Sequence, residues 1–352
     1  MIQVMSRVVV VVVLLSLAWV RPVLADDSGG PAPPAPSGIA IDGEGNVYVS
    51  DYALDRVVKF SADGSVLAQW GGSGSAQGQF NAPFGVAVDA TDTVFVVDQL
   101  NNRLQRFATD GTALSTWGGP GAGAGELRTP FGVAVGGGRV YVADFGNDRV
   151  EVFGTDGSLQ LSFGRRGSSD GQFQRPAGVA VAPDGTVYVA DHFNDRIERF
   201  GGDGKFVAQL GTGQAVASAT ATPMATATPT ATPAATPLSA SAPALAVIPV
   251  VAPAAAAPDG QLRRPEGIAV DRDGDVWVAD YGRDRIVKFA PDGRPLLSWG
   301  SRGSGQGEFL GPKGVAIDPS SGRVYVADTG NSRVQRLAPD GTPEASWPMP
   351  LQ

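Results

Sequence analysis

Six short apolar runs, each closed by an aspartate, punctuate the chain: Val47 to Asp51, Val94 to Asp98, Val140 to Asp144, Val187 to Asp191, Val276 to Asp280 and Val324 to Asp328. Ahead of each stands another apolar run that opens on glycine, such as Gly178-Val-Ala-Val181. Nearly every position in both runs is apolar, rather than every second one, which marks strands buried on both faces. Behind each aspartate come a polar turn, an arginine-led run, an Asp-Gly pair and a last run ending in a bulky residue. The second unit therefore predicts four strands, near 85–89, 94–98, 103–107 and 113–117. The pairs Asp63-Gly64, Asp110-Gly111, Asp156-Gly157, Asp203-Gly204, Asp292-Gly293 and Asp340-Gly341 mark the last hairpin of each unit, where glycine supplies a positive φ. No useful stretch carries the 3.6-residue spacing of an amphipathic helix, so the expected fold is all β.

The opening glycines, Gly38, Gly85, Gly132, Gly178, Gly267 and Gly314, are spaced by 47, 47, 46, 89 and 47 residues. Units with a fixed period of this size cannot bury their apolar faces alone and must stack. Four-stranded antiparallel sheets sheltered on both sides by like neighbours are blades, and six of them close a β-propeller around a central channel. Ala40, Ala87, Ala134, Ala180, Ala269 and Ala316 suit the crowded hub. Trp70, Trp117, Phe163, Leu210, Trp299 and Trp347 suit the wider rim. The last unit holds four strands of its own, so closure is expected to rest on packing of blade one against blade six.

The recurring Pro-x-Gly-Val-Ala-Val-Asp, Val-Tyr-Val-Ala-Asp, Asn-x-Arg-Val-Gln-x-Phe and Asp-Gly pattern resembles NHL repeats over Pro36 to about Trp347. That resemblance implies the six-bladed propeller and little about function, since such folds carry binding, sensing and enzymatic sites alike. A WD-type propeller is disfavoured by the missing Trp-Asp signature and by a period longer than about 40 to 45 residues.

The doubled step comes from one insertion, 214–258, whose Thr-Pro repeats (Thr222-Pro223, Thr228-Pro229, Thr232-Pro233 and Thr236-Pro237) favour polyproline II or disorder over helix and sheet. Arg7, the apolar stretch Val8 to Val20 and the small-residue site Val23-Leu24-Ala25 read as a secretory signal, 1–25. Thirteen residues, apolar but for Ser16, fall short of the about 20 a membrane span needs, so no stable membrane insertion is expected after cleavage. A Pro-rich linker, 26–35, then leads into a propeller domain, 36–348, that contains the insertion. The chain has no cysteine, hence neither disulfides nor a lipid-attachment thiol. A secreted or extracytoplasmic monomer is expected.

Loss of Arg7 and Arg21 with the signal changes the balance from 27 basic against 35 acidic residues to 25 against 35, a net charge of −10. That acidity argues against nucleic acid as the main partner.

Each unit pairs its aspartate with an arginine five residues on: Asp51 and Arg56, Asp98 and Arg103, Asp144 and Arg149, Asp191 and Arg196, Asp280 and Arg285, Asp328 and Arg333. Six like carboxylates, each beside its own guanidinium, fit a charge-assisted turn clamp better than acid-base catalysis, which needs unlike groups in one place. His192 is the single histidine, which leaves too few ligands for a zinc site, and no metal or cofactor is expected. Asp271-x-Asp273-Gly-Asp275 faintly resembles a calcium loop but sits in a hairpin turn, whose chemistry explains it better.

Individuality survives in the turns after the aspartates. Tyr52, Gln99, Phe145, His192, Tyr281 and Thr329 come first, and Leu54, Asn101, Asn147, Asn194, Arg283 and Asn331 follow two places on. The blade-joining loops share that face and add eight cations, among them Arg165, Arg166 and Lys313, against five acids that include Glu266. Variable groups on a constant frame describe a binding surface. Tyr52, Gln99, Phe145, His192, Tyr281, Arg283, Arg165 and Arg166 are the candidate ligand contacts, with no catalytic residue among them. The expected function is noncatalytic recognition of a protein or peptide, a glycan or an anionic polymer, and a metal-dependent lactonase or lyase of propeller type is the alternative.

Overall fold

A computed structural model describes residues 32–212 and 259–351. The first blade comprises β1 (Pro36–Ile41), β2 (Val47–Asp51), β3 (Arg56–Phe60) and β4 (Val66–Gly71). Five further four-stranded sheets follow at 83–118, 133–163, 176–210, 265–299 and 312–348. All six are antiparallel with strands in chain order, so every blade is a meander and none borrows a strand. The second unit's strands run Pro83–Val88, Val94–Asp98, Arg103–Phe107 and Ala113–Gly118, within two residues of expectation. The only helical pieces among the described residues are single 3-10 turns, and the Asp-Gly glycines adopt φ of 76–92°. The segment expected to be a signal, 1–25, and the insertion, 214–258, fall outside the described residues. The chain leaves blade four at residue 212 and returns at 259, and Leu262 donates to the Gly211 carbonyl at 3.1 Å across that gap.

The apolar runs meet in six interfacial clusters, one between each adjacent pair of blades. Between blades one and two, Tyr48 and Val57 pack on Phe80, Val94 and Phe107. Between blades six and one, Tyr325, Val334 and Trp347 pack on Val47, Val58 and Phe60 in the same fashion. Both faces of the second strands are therefore sealed, as their unbroken hydrophobicity requires. Crowding at the axis falls on the glycines rather than the alanines. A Cβ on Gly178 would lie 2.0 Å from the Glu266 carbonyl oxygen, and one on Gly38 would lie 2.3 Å from that of Phe84. Ala40 and Ala180 stand one step further out, in the clusters between blades.

Polar clasps supplement the packing. The left-handed residue after each turn accepts from the next joining loop: Asp55 from the Ala82 N–H, Asn102 from Thr129, Asp148 from Arg175, Asp195 from Arg264 and Asp284 from Gly311, at 2.7–2.8 Å. The equivalent Ser332 donates its hydroxyl to the Pro34 carbonyl at 2.6 Å, and Thr329 donates to that of Pro36 at 2.7 Å. Blade six thus grips the segment entering blade one at the position the other blades use. Closure rests on packing, as expected, together with these bonds.

Candidate functional site: an aromatic mouth at the axis

The aspartates and arginines form the clamps their spacing suggests. All six carboxylates are fully buried and lie 2.7–3.3 Å from their arginines. Asp98 also accepts the Asn81 N–H (2.7 Å) and the Asn101 amide (2.8 Å), while Arg103 donates to the carbonyls of Ser75, Ala76 and Gln79. Each clamp therefore fastens a blade's turn to the loop entering that blade. Asn147, Asn194 and Asn331 repeat the contact of Asn101, so these positions belong to the frame rather than to the variable surface. The calcium-like turn is closed in the same structural sense: Asp271 accepts from the Asp273 and Asp275 N–H groups, and the Lys288 ammonium lies between the two carboxylates at 3.1 and 2.8 Å.

The same face carries one arrangement that does not repeat. Residues between proline and glycine at the start of each first strand, Ser37, Phe84, Phe131, Ala177, Glu266 and Lys313, surround the axis. Outside them stand the first residues of the turns. The register makes the two sets neighbours, because the turn's second N–H donates to the loop just before the first strand, as Leu100 does to Asn81 and Gly282 to Arg263. Rings then run around the mouth: Tyr52 to Phe84 (6.5 Å), Phe84 to Phe131 (4.3 Å), Phe131 stacked on Phe145 (4.0 Å), Phe145 to His192 (6.2 Å) and His192 to Tyr281 (6.5 Å).

Lys313 closes the circle. Its ammonium lies 4.9 Å from the Tyr281 centroid, 5.1 Å from Phe84 and 5.8 Å from Tyr52, and 3.3 Å from the Glu266 carboxylate. The Lys313 side chain is 15% exposed and that of Glu266 4%. Burial alone would depress the Lys313 ammonium, but Glu266 with the Tyr281 and Tyr52 oxygens holds it above the ordinary lysine range. Burial keeps His192 below its usual range against the pull of Glu266, and its Nδ1 donates to the Pro265 carbonyl at 3.2 Å. At neutral pH the imidazole is therefore neutral, and a second cation borders the mouth, the Arg175 guanidinium lying 5.3 Å from the Phe145 centroid. The mouth opens into a cavity of about 60 Å³, lined by Phe84, Glu266 and Lys313 and by the first strands that follow them, large enough for ordered water.

Of the residues expected to contact ligand, Tyr52, Phe145, His192 and Tyr281 are brought together here, and Gln99, buried at 8% exposure, holds the same place in blade two. Arg165 and Arg166 are exposed on the loop joining blades three and four. Arg283 occupies the asparagine position of its turn and is engaged by the Gln261 backbone and side-chain oxygens. Phe84 and Phe131 are members that the sequence reading did not assign to a site, and Glu266 and Lys313 are ones it counted among the charges of this face without naming them as contacts. Their signal was the variation of one residue inside the otherwise constant Pro-x-Gly opening.

A family model for the NHL repeat matches residues 127–153, 173–200, 262–289 and 309–337, each running from a joining loop through the third strand of blades three to six. The chain is an NHL-repeat propeller. Peptidylglycine alpha-amidating monooxygenase of Rattus norvegicus is 38% identical over 63 residues, which are 16% of this chain and only 6% of that protein's length. Solved structures share the fold: virginiamycin B lyase from Staphylococcus aureus (TM-score 0.53, 13% identity, 90% of this chain and 85% of that one) and a gluconolactonase from Xanthomonas campestris (TM-score 0.55, 18% identity, 84% of each chain). Identities at that level speak to the NHL-type architecture and not to the reaction.

Proposed function

We propose that this NHL propeller is an exported, monomeric and noncatalytic recognition module whose ligand, a peptide, a glycan or an anionic polymer, docks on the face formed by the turns after the second strands and the joining loops, centred on the axial mouth. The observation that carries this reading is an aromatic and charged cluster at the axis, built from a different residue in each blade on the face where the clamps repeat six times. Six-fold repetition accounts for the clamps as structure, whereas nothing in blade packing requires a lysine enclosed by Tyr52, Phe84 and Tyr281. Half-buried aromatics around convergent polar groups are the usual composition of a ligand site.

The rival is the alternative the sequence left open, a metal-dependent lactonase or lyase of propeller type. Among the described residues no three histidine, cysteine, aspartate or glutamate side chains are grouped as metal ligands would be, so no donor set favours it. The mature protein is to be titrated with peptide, glycan and polyanion panels alongside the Tyr281→Ala variant. The expected result is at least one ligand that binds unchanged in covalent structure and loses affinity in the variant. Turnover of the bound compound, or binding indifferent to Tyr281, would sink the reading.

A further inference from the structure

We infer that the axial mouth takes a neutral saccharide, with a pyranose ring lying on its aromatic wall. This rests on the recognition reading above and narrows its ligand. Charge is the first constraint. Lys313 is already neutralised by Glu266 at 3.3 Å, and Arg175, half-buried, is engaged over the Phe145 face at 5.3 Å, so among the described residues the mouth's nearest cations are both spoken for before a phosphate, sulfate or carboxylate polymer arrives. Releasing Lys313 to such a ligand would leave a 4%-exposed carboxylate without its partner, an arrangement that costs more than the new contact returns. A cationic ligand is opposed equally, because the ammonium already lies over the ring faces such a ligand would use.

Hydrogen-bonding capacity is the second constraint. Around Lys313 the mouth presents an ammonium, the two oxygens of the Glu266 carboxylate at 3.3 and 3.4 Å from it, and the Tyr52 and Tyr281 rings, whose phenols both donate and accept. Such a mixed set suits a ligand whose own groups both donate and accept, as sugar hydroxyls do and a run of peptide carbonyls or aliphatic side chains does not. Beside it, Phe84, Phe131 and Phe145 form an apolar wall with centroids 4.0–4.3 Å apart. The electron-rich faces of such rings attract the weakly polarised C–H groups on one side of a pyranose, while the equatorial hydroxyls reach the polar groups beyond. The cavity that these residues share with the first strands is narrow, about 60 Å³ and of a size for water, which favours a saccharide lying across the opening over one passing down the channel.

The test is binding of neutral hexasaccharides of glucose, xylose, mannose and N-acetylglucosamine to the full mature chain, with polygalacturonate and a proline-rich peptide as parallel arms. We expect a neutral arm to bind, with affinity changing less than about twofold between roughly 0.05 and 0.5 M salt, because no net charge is exchanged. Tyr281→Phe should weaken it moderately and Phe84→Ala by at least about tenfold, equivalent to about 1.4 kcal/mol. Near-UV circular dichroism checks that Phe84→Ala is folded. Saturation-transfer NMR on the wild-type protein needs no variant and should show transfer from aromatic protons to the sugar C–H groups. Failure of every neutral arm, with mouth-dependent binding of the acidic polymer or the peptide, overturns the saccharide inference and leaves the recognition reading standing. If no arm of any class depends on Phe84 or Tyr281, both fall.

Discussion

Two kinds of ion pair are buried on one face of the disc. Asp98 and Arg103 lie 2.7 Å apart and each holds the chain entering its own blade, through the Asn81 N–H on one side and three loop carbonyls on the other. Glu266 and Lys313 lie 3.3 Å apart and touch each other and the rings around them. The first arrangement occurs six times and engages the backbone at every copy. The second occurs once and faces the opening. Burial and charge alone do not separate frame from site in a repeat protein, whereas what the charged atoms hold, and how often, does.

The largest consequence concerns the clamp. Asp98→Ala should cost about 3–5 kcal/mol, because it leaves Arg103, the Asn101 amide and the Asn81 N–H facing a buried gap. Urea denaturation reads this directly. A loss below about 1 kcal/mol would mean that the clamps do not carry the frame.

Differences among the clamps sharpen the comparison. In blades two and six a glutamine on the third strand, Gln105 or Gln335, donates to the clamp aspartate at 3.1 or 3.0 Å. Blades three and four place Glu151 and Glu198 there, both fully buried. A carboxylate cannot donate, and Glu198 Oε2 has no partner although Oε1 accepts from the Gly171 N–H at 3.2 Å. Burial, opposed by the arginine and aided by the neighbouring aspartate, pushes Glu151 up to about 7 and Glu198 up to about 8. A folded value raised above the unfolded one means that the native state binds more protons between roughly pH 4.5 and 8. The associated stability is complete at the acid end of that window and is lost as pH rises through 7 to 8. Glu198→Gln should therefore be near neutral at pH 5 and stabilising by about 1–3 kcal/mol at pH 8.5, the cost of an unsatisfied buried group. Equal effects at both pH values would show that Glu198 does not titrate in this range.

The frame was legible in the chain because a propeller writes each constraint six times. Buried strands, turn glycines and clamps all appear as constant columns, and strand ends came within two residues of their final positions. The mouth was half legible. Tyr52, Phe145, His192 and Tyr281 stood out as changes after a constant aspartate. Phe84, Phe131, Glu266 and Lys313 vary just as much, but one position before a glycine that served only to mark the period. Bringing Lys313 of blade six beside Tyr52 of blade one and Glu266 of blade five requires the ring to close, a contact no local pattern encodes. The asparagines two places into the turns misled in the opposite direction. The exceptions Leu54 and Arg283 gave that column the look of variation, although four of its six members serve the clamps.

The smallest expected effect bears hardest on the contrast between the two pairs. Neutralising both partners at once, as in Glu266→Gln with Lys313→Met, removes the charges while keeping much of the volume. For a buried pair that holds no backbone, such a replacement is often neutral or mildly stabilising. The double variant should therefore unfold within about 1 kcal/mol of wild type and keep its near-UV spectrum, yet lose mouth-dependent binding. Glu266→Gln alone leaves the lysine enclosed by rings without its counter-charge, so it should cost more than the double change, and that inequality isolates the pair from the bulk of its side chains. A double variant as damaging as Asp98→Ala would place Glu266 and Lys313 with the frame, and the mouth would then have no polar centre left to recognise anything.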